Sequence, residues 1–255
     1  MLDLEEGYIK SILRGLSVIE VLGKEKELGV TELGDALGLN KSTVFSIIKT
    51  LEFAGYLYKN PKTGKYKLSL KLYSIGREAF NHLDIIEVIK PYLEKLSNKY
   101  QETIHLVAAD RREVVYIDKI ESNQSVRICS KVGERLPMHC TGVGKAILAY
   151  QSDKEIEEYI REKGLTAYTK NTITEPESFR QELKNVVKNG YSLDNEEVEE
   201  GLFCIAAPIY NFDKEIVYAI SVSGPKFRMT EDKVKNIVKD VKNTCREISQ
   251  KLGYM

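Results

Sequence analysis

Ser221 and Ser223 stand two residues apart in the apolar run Ile216-Val217-Tyr218-Ala219-Ile220-Ser221-Val222-Ser223. In a strand, the period of two puts both hydroxyls on one face, where they can meet the same oxygen-rich group. Cys204 is central in a second apolar run, residues 203–209, and can form part of the wall of such a site. Asp194 follows a turn and can bond a ligand hydroxyl; it repels a carboxylate unless protonated or set at the ligand's other end. Cys140-Thr141-Gly142-Val143-Gly144 opens a helix after Pro137, and the free amides of a helix N-terminus favour anions. Gly142 has no side chain, so its amide can approach a carboxylate closely. Each residue also has a plainer role. A buried cysteine packs as a small hydrophobe, Asp194 can cap local amides, and Ser223-Gly224-Pro225 can be a strand end.

Other chemistries fit less well. Cys204 with His105 or His139 and Asp194 is the alternative of a small-molecule cysteine hydrolase, but a nucleophile needs a base within hydrogen-bond reach. Gly142-Val143-Gly144-Lys145-Ala146 lacks the first glycine of a nucleotide P-loop, and Ala146 stands where Ser or Thr would hold magnesium. His139, Cys140 and Cys204 have no metal-ligand spacing. No catalytic residue, cofactor or metal is expected.

A second group of residues suits nucleic acid. Ser42, Phe45, Ser46 and Lys49 share one face of a helical pattern whose other face carries Val44, Ile47, Ile48 and Leu51. Hydroxyls and amines on such a face can meet base edges and phosphates in a major groove. The next run, residues 56–68, alternates apolar residues around a Pro/Gly turn and reads as a hairpin. From Lys41 to Lys71 there are seven lysines against one acid, Glu52, a net of +6. Lysines on the hairpin, Lys62 and Lys65, suit phosphate contacts, which position without reading sequence.

The elements that position these groups follow from periodicity. Ile12, Leu16, Ile19 and Leu22 predict an amphipathic helix over about 11–25. A second helix, with Thr31 as N-cap and Leu33 and Leu37 inward, ends near Gly38. With the third helix this makes a helix-turn-helix. Residues 70–80 read as a helix and Asp84 as the cap of another, which Pro91 kinks or divides. Apolar surplus here suits a dimer contact, since a palindromic operator needs a two-fold protein. Beyond residue 102, strands at 103–108, 113–118, 125–129, 203–209 and 216–223 mix with helices at 139–150, 153–163, 175–189 and 230–251. That is an α+β domain with a mainly antiparallel sheet.

Composition sets the bounds. The chain has 255 residues, 42% hydrophobic and 30% charged, with zero formal net charge. Any nucleic-acid contact must therefore come from a local patch. Four cysteines without a CxxC pair argue against a zinc finger or disulfide scaffold and fit the cytoplasm. Neither a signal peptide nor a membrane span is indicated.

The chain resembles the IclR-type transcriptional regulators over nearly its whole length. The matching pieces are Leu39-Asn40-Lys41-Ser42-Thr43-Val44, Thr50-Leu51-Glu52-Phe53-Ala54-Gly55-Tyr56-Leu57, and Gly133-Glu134-Arg135-Leu136-Pro137-Met138-His139-Cys140-Thr141 running into residues 144–149. Residues 190–197, 201–209 and 221–225 follow in order. The resemblance implies a winged helix-turn-helix DNA-binding domain (1–69), a linker helix (70–83) and a GAF-like α/β effector domain (84–255). It implies a repressor, as homodimer or homotetramer on a double-stranded DNA operator. Lys41, Ser42, Thr43, Phe45, Ser46, Lys49, Lys62 and Lys65 are its DNA-binding candidates. Where the family often carries arginine this chain carries Ser46. The implied effector is a small carboxylic acid: a sugar-derived keto acid such as 2-keto-3-deoxygluconate, glyoxylate, pyruvate or an aromatic acid. The family's effector-binding pattern falls on Gly142, Val143, Asp194, Cys204, Ser221 and Ser223. Met138, Leu136 and Phe203 would supply the apolar wall.

Overall fold

The computed structural model describes residues 8–81 and 85–254. The chain divides into two compact units, Met1–Leu83 and Asp84–Met255.

In the first unit, α1 (Lys10–Lys24), α2 (Val30–Leu37) and α3 (Lys41–Phe53) are followed by a hairpin, β1 (Leu57–Lys59) and β2 (Tyr66–Leu68), and by α4 (Leu70–Asn81). Val18, Leu22, Leu33, Val44, Ile48, Leu57 and Tyr66 form its core. Two expectations need correction. The N-cap of α2 is Gly29, not Thr31; the Gly29 amide donates to Glu32 Oε2 at 2.7 Å. The buried face of α1 is Val18 and Leu22, whereas Ile12 and Leu16 are 56% and 50% exposed. Gly38 ends α2 in the left-handed conformation (φ +64°), as the sequence suggests.

The second unit holds α5 (Ile85–Tyr100), β3 (Thr103–Asp110), β4 (Glu113–Ile120), β5 (Arg135–Pro137), α6 (Gly142–Leu148), α7 (Asp153–Lys163) and α8 (Pro176–Asn189). Then come β6 (Ser192–Asn195), β7 (Leu202–Tyr210), β8 (Ile216–Pro225), a 3-10 turn at Lys226–Arg228 and α9 (Glu231–Lys251). Six strands form one sheet in the order β5-β4-β3-β8-β7-β6, with every neighbouring pair antiparallel. Period two sorts the strand residues between two cores. Ile104, Leu106, Ile205, Ala207, Ile209, Ile220 and Val222 pack with α5 and α9. Val107, Ala206 and Ala219 face α6, α7 and α8.

Pro91 does not divide α5. It lies on the exposed side of a continuous helix whose Ile89, Leu93 and Leu96 are buried on either side of it. Asp84, expected as a cap, lies outside the described residues. Residues 125–129 form no strand. Val126 is exposed, and its carbonyl accepts from Arg228 Nη1 at 2.8 Å; the sheet edge is taken by β5 instead. α6 is shorter than 139–150 because Tyr159 OH accepts from the amides of Met138 (3.0 Å) and His139 (3.1 Å), holding them out of the helix. Thr141 then caps it, accepting from the Gly144 amide at 3.1 Å. A side chain at Gly144 would put its Cβ 2.3 Å from Met138 Cα, so this glycine permits the close approach.

Candidate effector cavity and helix-turn-helix face

Strand register brings the polar groups of the second unit together. His105 stands opposite Ser221 across β3 and β8, Ser223 opposite Cys204 across β8 and β7, and Cys204 opposite Asp194 across β7 and β6. Directly opposite residues in a sheet point to the same face, so all five side chains share the face covered by α6. There four of them, all but His105, bound a cavity of about 20 Å³, lined also by Tyr116, Leu136, Thr141, Gly142, Val143, Val198 and Leu202. That volume admits about one water molecule.

Six expected residues, Gly142, Val143, Asp194, Cys204, Ser221 and Ser223, line this one cavity, and so does Leu136. Two others do not. Met138 is buried in the core beside α6. Phe203 alternates with Cys204, so it faces away and packs against the α5/α9 core. Tyr116, Thr141, Val198 and Leu202 line the cavity without having been expected as contacts, and β6 is a four-residue strand without a distinct apolar pattern that would mark it as one. With only seven residues in α6, any anion recognition falls to individual amides rather than to a long helix dipole.

The electrostatics follow from burial. Asp194 Oδ1 accepts from the Glu197 amide at 2.8 Å. Burial nevertheless pushes its pKa up to about 7, so near neutral pH it can hold a proton. Lys145 lies in the fully buried helix α6, where a cation survives only when paired. It bonds Glu197, with Glu182 at 3.6 Å, and so ties α6 to the loop carrying Val198. His105 Nδ1 lies 3.3 Å from both Ser221 Oγ and Ser223 Oγ, Nε2 lies 2.8 Å from Ser130 Oγ, and the ring stacks on Tyr116 at 4.5 Å. Burial, with the Lys119 charge adding to it, drives its pKa down to about 4.

This arrangement does not activate a nucleophile. Burial pushes the Cys204 thiol well above its usual pKa, and the adjoining Asp194 pushes the same way; a reactive thiol needs a neighbouring cation instead. His139 Nδ1 lies 3.1 Å from Tyr159 OH and Nε2 3.0 Å from the Thr166 carbonyl, a structural role. Among the described residues no group of His, Cys, Asp and Glu is placed to hold a metal ion.

In the first unit, Asn40 caps α3 by accepting from the Thr43 amide at 2.8 Å. Lys41, Ser42, Phe45, Ser46 and Lys49 are all exposed, and Thr43 is half-buried. The Lys49 ammonium lies 5.4 Å from the Phe45 ring centre. In the hairpin turn, Asn60 Oδ1 accepts from the Lys62 amide at 3.0 Å. Lys65 is not a free cation: Glu32 of α2 pairs with it at 2.7 Å. No described helix is long and apolar enough to cross a membrane.

Three helices, a basic hairpin and a fourth helix, followed by a sheet unit with a small enclosed cavity, are the architecture of a helix-turn-helix transcription regulator. Residues 11–61 match the IclR helix-turn-helix domain and residues 77–250 the bacterial transcriptional regulator IclR C-terminal domain. The chain belongs to the IclR family. It is 35% identical to the HTH-type transcriptional regulator KdgR of Dickeya chrysanthemi over 253 residues, 99% of this chain and 83% of that protein. It is 32% identical to the HTH-type transcriptional repressor AllR of Escherichia coli K12 over 247 residues, 96% and 90% of the two chains. A crystal structure of an IclR regulator from Silicibacter sp. TM1040 has the same fold (TM-score 0.87, 23% identity, 97% of each chain). The protein is therefore a DNA-binding transcription regulator and not an enzyme.

Proposed function

We propose that the chain is a repressor that binds a palindromic operator as a homodimer or homotetramer in the cytoplasm and responds to a small organic acid, such as a sugar-derived keto acid, bound in the β6/β7/β8 cavity. The observation that carries this reading is the convergence of two serines, a protonatable carboxyl and the first residues of α6, Gly142 and Val143, on one enclosed space. Met138 is left out of the ligand contacts. The repressor sense follows the name of AllR. A keto acid is larger than one water, so its entry spreads the cavity wall and favours whichever conformation accommodates it. The DNA half rests on the exposed face of α3, with Ser42, Phe45, Ser46 and Lys49 toward base edges and Lys41, Lys62 and Lys65 toward phosphates. Self-association is supported by the exposed apolar residues Ile12 and Leu16 on α1 and Ile9 at its N-cap.

A thermal-shift screen of 2-keto-3-deoxygluconate, glyoxylate, pyruvate and aromatic acids tests the reading. An acid at 100 times its Kd raises stability by about 2.7 kcal/mol. It also changes operator affinity, and the double variant Ser221→Ala, Ser223→Ala loses both responses while binding DNA as before. A normal response in that variant refutes the cavity assignment.

A further inference from the structure

Ser221 and Ser223 are not set by the backbone alone. Their hydroxyl oxygens lie 3.1 Å apart, and His105 Nδ1 closes a triangle at 3.3 Å from each. The direction of the two hydroxyl protons therefore depends on which ring nitrogen carries the imidazole hydrogen. If Nδ1 is unprotonated, it draws one serine proton to itself and the second serine donates to the first. Both protons are then consumed, and only lone pairs face the cavity. If Nδ1 carries the hydrogen, it donates between the two oxygens and neither serine proton is spent on the ring; the weaker acceptors left to them, the other hydroxyl and the Cys204 sulfur, give way to a carboxylate.

Three features favour the second arrangement. The two equal distances suit a shared N–H donor, whereas a single lone pair favours one partner. On the other side of the ring, Lys119 Nζ bonds the carbonyl of Ser130, the residue whose hydroxyl lies 2.8 Å from Nε2. A cation there favours a lone pair on Nε2 and a hydrogen on the far nitrogen. Finally, Ser130 Oγ has no other hydrogen-bond partner among the described residues, so its hydrogen is available to Nε2. Stacking on Tyr116, at 4.5 Å and 24°, fixes the ring plane, and burial keeps the ring uncharged.

We propose that His105 is a positioning residue of the effector site: it carries its hydrogen on Nδ1, donates to Ser221 and Ser223 together, and so turns both hydroxyls into donors for the oxygens of an anionic carboxylate. The ligand half of this inference rests on the organic-acid reading above. It adds a chemical reason for the acid class: two donors aimed into a small cavity stabilise an anion and reject its neutral amide, whose NH2 meets two hydrogens.

Long-range 1H–15N correlation spectra of the full chain separate the two tautomers by the shifts of the ring nitrogens, with the His105 signal identified by its loss in His105→Asn. The expected pattern is Nδ1–H with bare Nε2, and an Nε2–H pattern overturns the proposal. Calorimetry then compares pyruvate with pyruvamide. The unmodified protein is expected to prefer pyruvate. His105→Asn, whose amide nitrogen falls near Nδ1, should keep pyruvate affinity within about threefold. His105→Gln, whose nitrogen falls near Nε2, should lose at least about tenfold. Both variants should bind operator DNA normally, and ligand-free melting checks that they fold. Equal losses in the two variants overturn the donor role. If the unmodified protein binds none of pyruvate, glyoxylate and 2-keto-3-deoxygluconate, the organic-acid reading falls and the ligand half with it; the tautomer is still decided by the spectra.

Discussion

Asp194 shows how burial turns an ordinary carboxyl into a pH-dependent element. Its pKa rises from 3.8 to about 7 on folding, so between those values the folded chain holds a proton that the unfolded chain has released. Stability therefore falls as pH rises through this window. The penalty is absent below the unfolded value and complete above the folded one. Asp194→Asn removes the titration and keeps an oxygen for the Glu197 amide. It is expected to stabilise the protein at pH 8 by on the order of a few kcal/mol, with the gain shrinking toward pH 4. Urea unfolding at several pH values measures this, and a pH-independent gain would contradict it. The aspartate was legible in the sequence as a polar residue after a turn. Its protonation was not, because that depends on the Glu197 loop and on α6 closing over it.

At the scale of elements, the hairpin is the clearest case of charge redistributed by folding. A window from Lys41 to Lys71 contains one acid, yet α2 delivers Glu32 to Lys65. Among the described residues no acid pairs with Lys62. Lys62→Ala is therefore expected to weaken binding to all DNA sequences and lower the salt slope of log K by about 1. Lys65→Ala should do less, and Glu32→Ala should steepen the slope by releasing Lys65. Binding titrations over a salt series decide. Equal slopes for Lys62→Ala and the parent chain would remove the hairpin from the interface.

For the molecule as a whole, the exposed apolar start of α1 bears on assembly. The sequence predicts Ile12, Leu16, Ile19 and Leu22 on one apolar face, but the fold buries Val18 and Leu22, leaves Ile19 half-buried and leaves Ile12 and Leu16 outside. The double variant Ile12→Glu, Leu16→Glu should leave the unit folded, because its core is untouched. It should shift sedimentation toward the monomer and weaken binding to a full palindrome more than to one half-site. An unchanged sedimentation profile would place the contact elsewhere, for instance on the residues 70–96 first expected to supply it.

The sequence by itself determined whatever is local or periodic: the helices α1–α4 and the hairpin of the first unit, the long strands β3, β7 and β8, the helix α9, and the pairing of Ser221 with Ser223 on one face. These follow from side-chain period and capping chemistry, which act over a few residues. Only the tertiary structure decided which distant groups meet. Strand order put β8 between β3 and β7, and so brought His105, Cys204 and Asp194 to the serines. The same packing turned Phe203 away, drew Met138 into the core, and cancelled Lys65 with Glu32. Those outcomes depend on register and on contacts between residues far apart in the chain, and no local pattern encodes them.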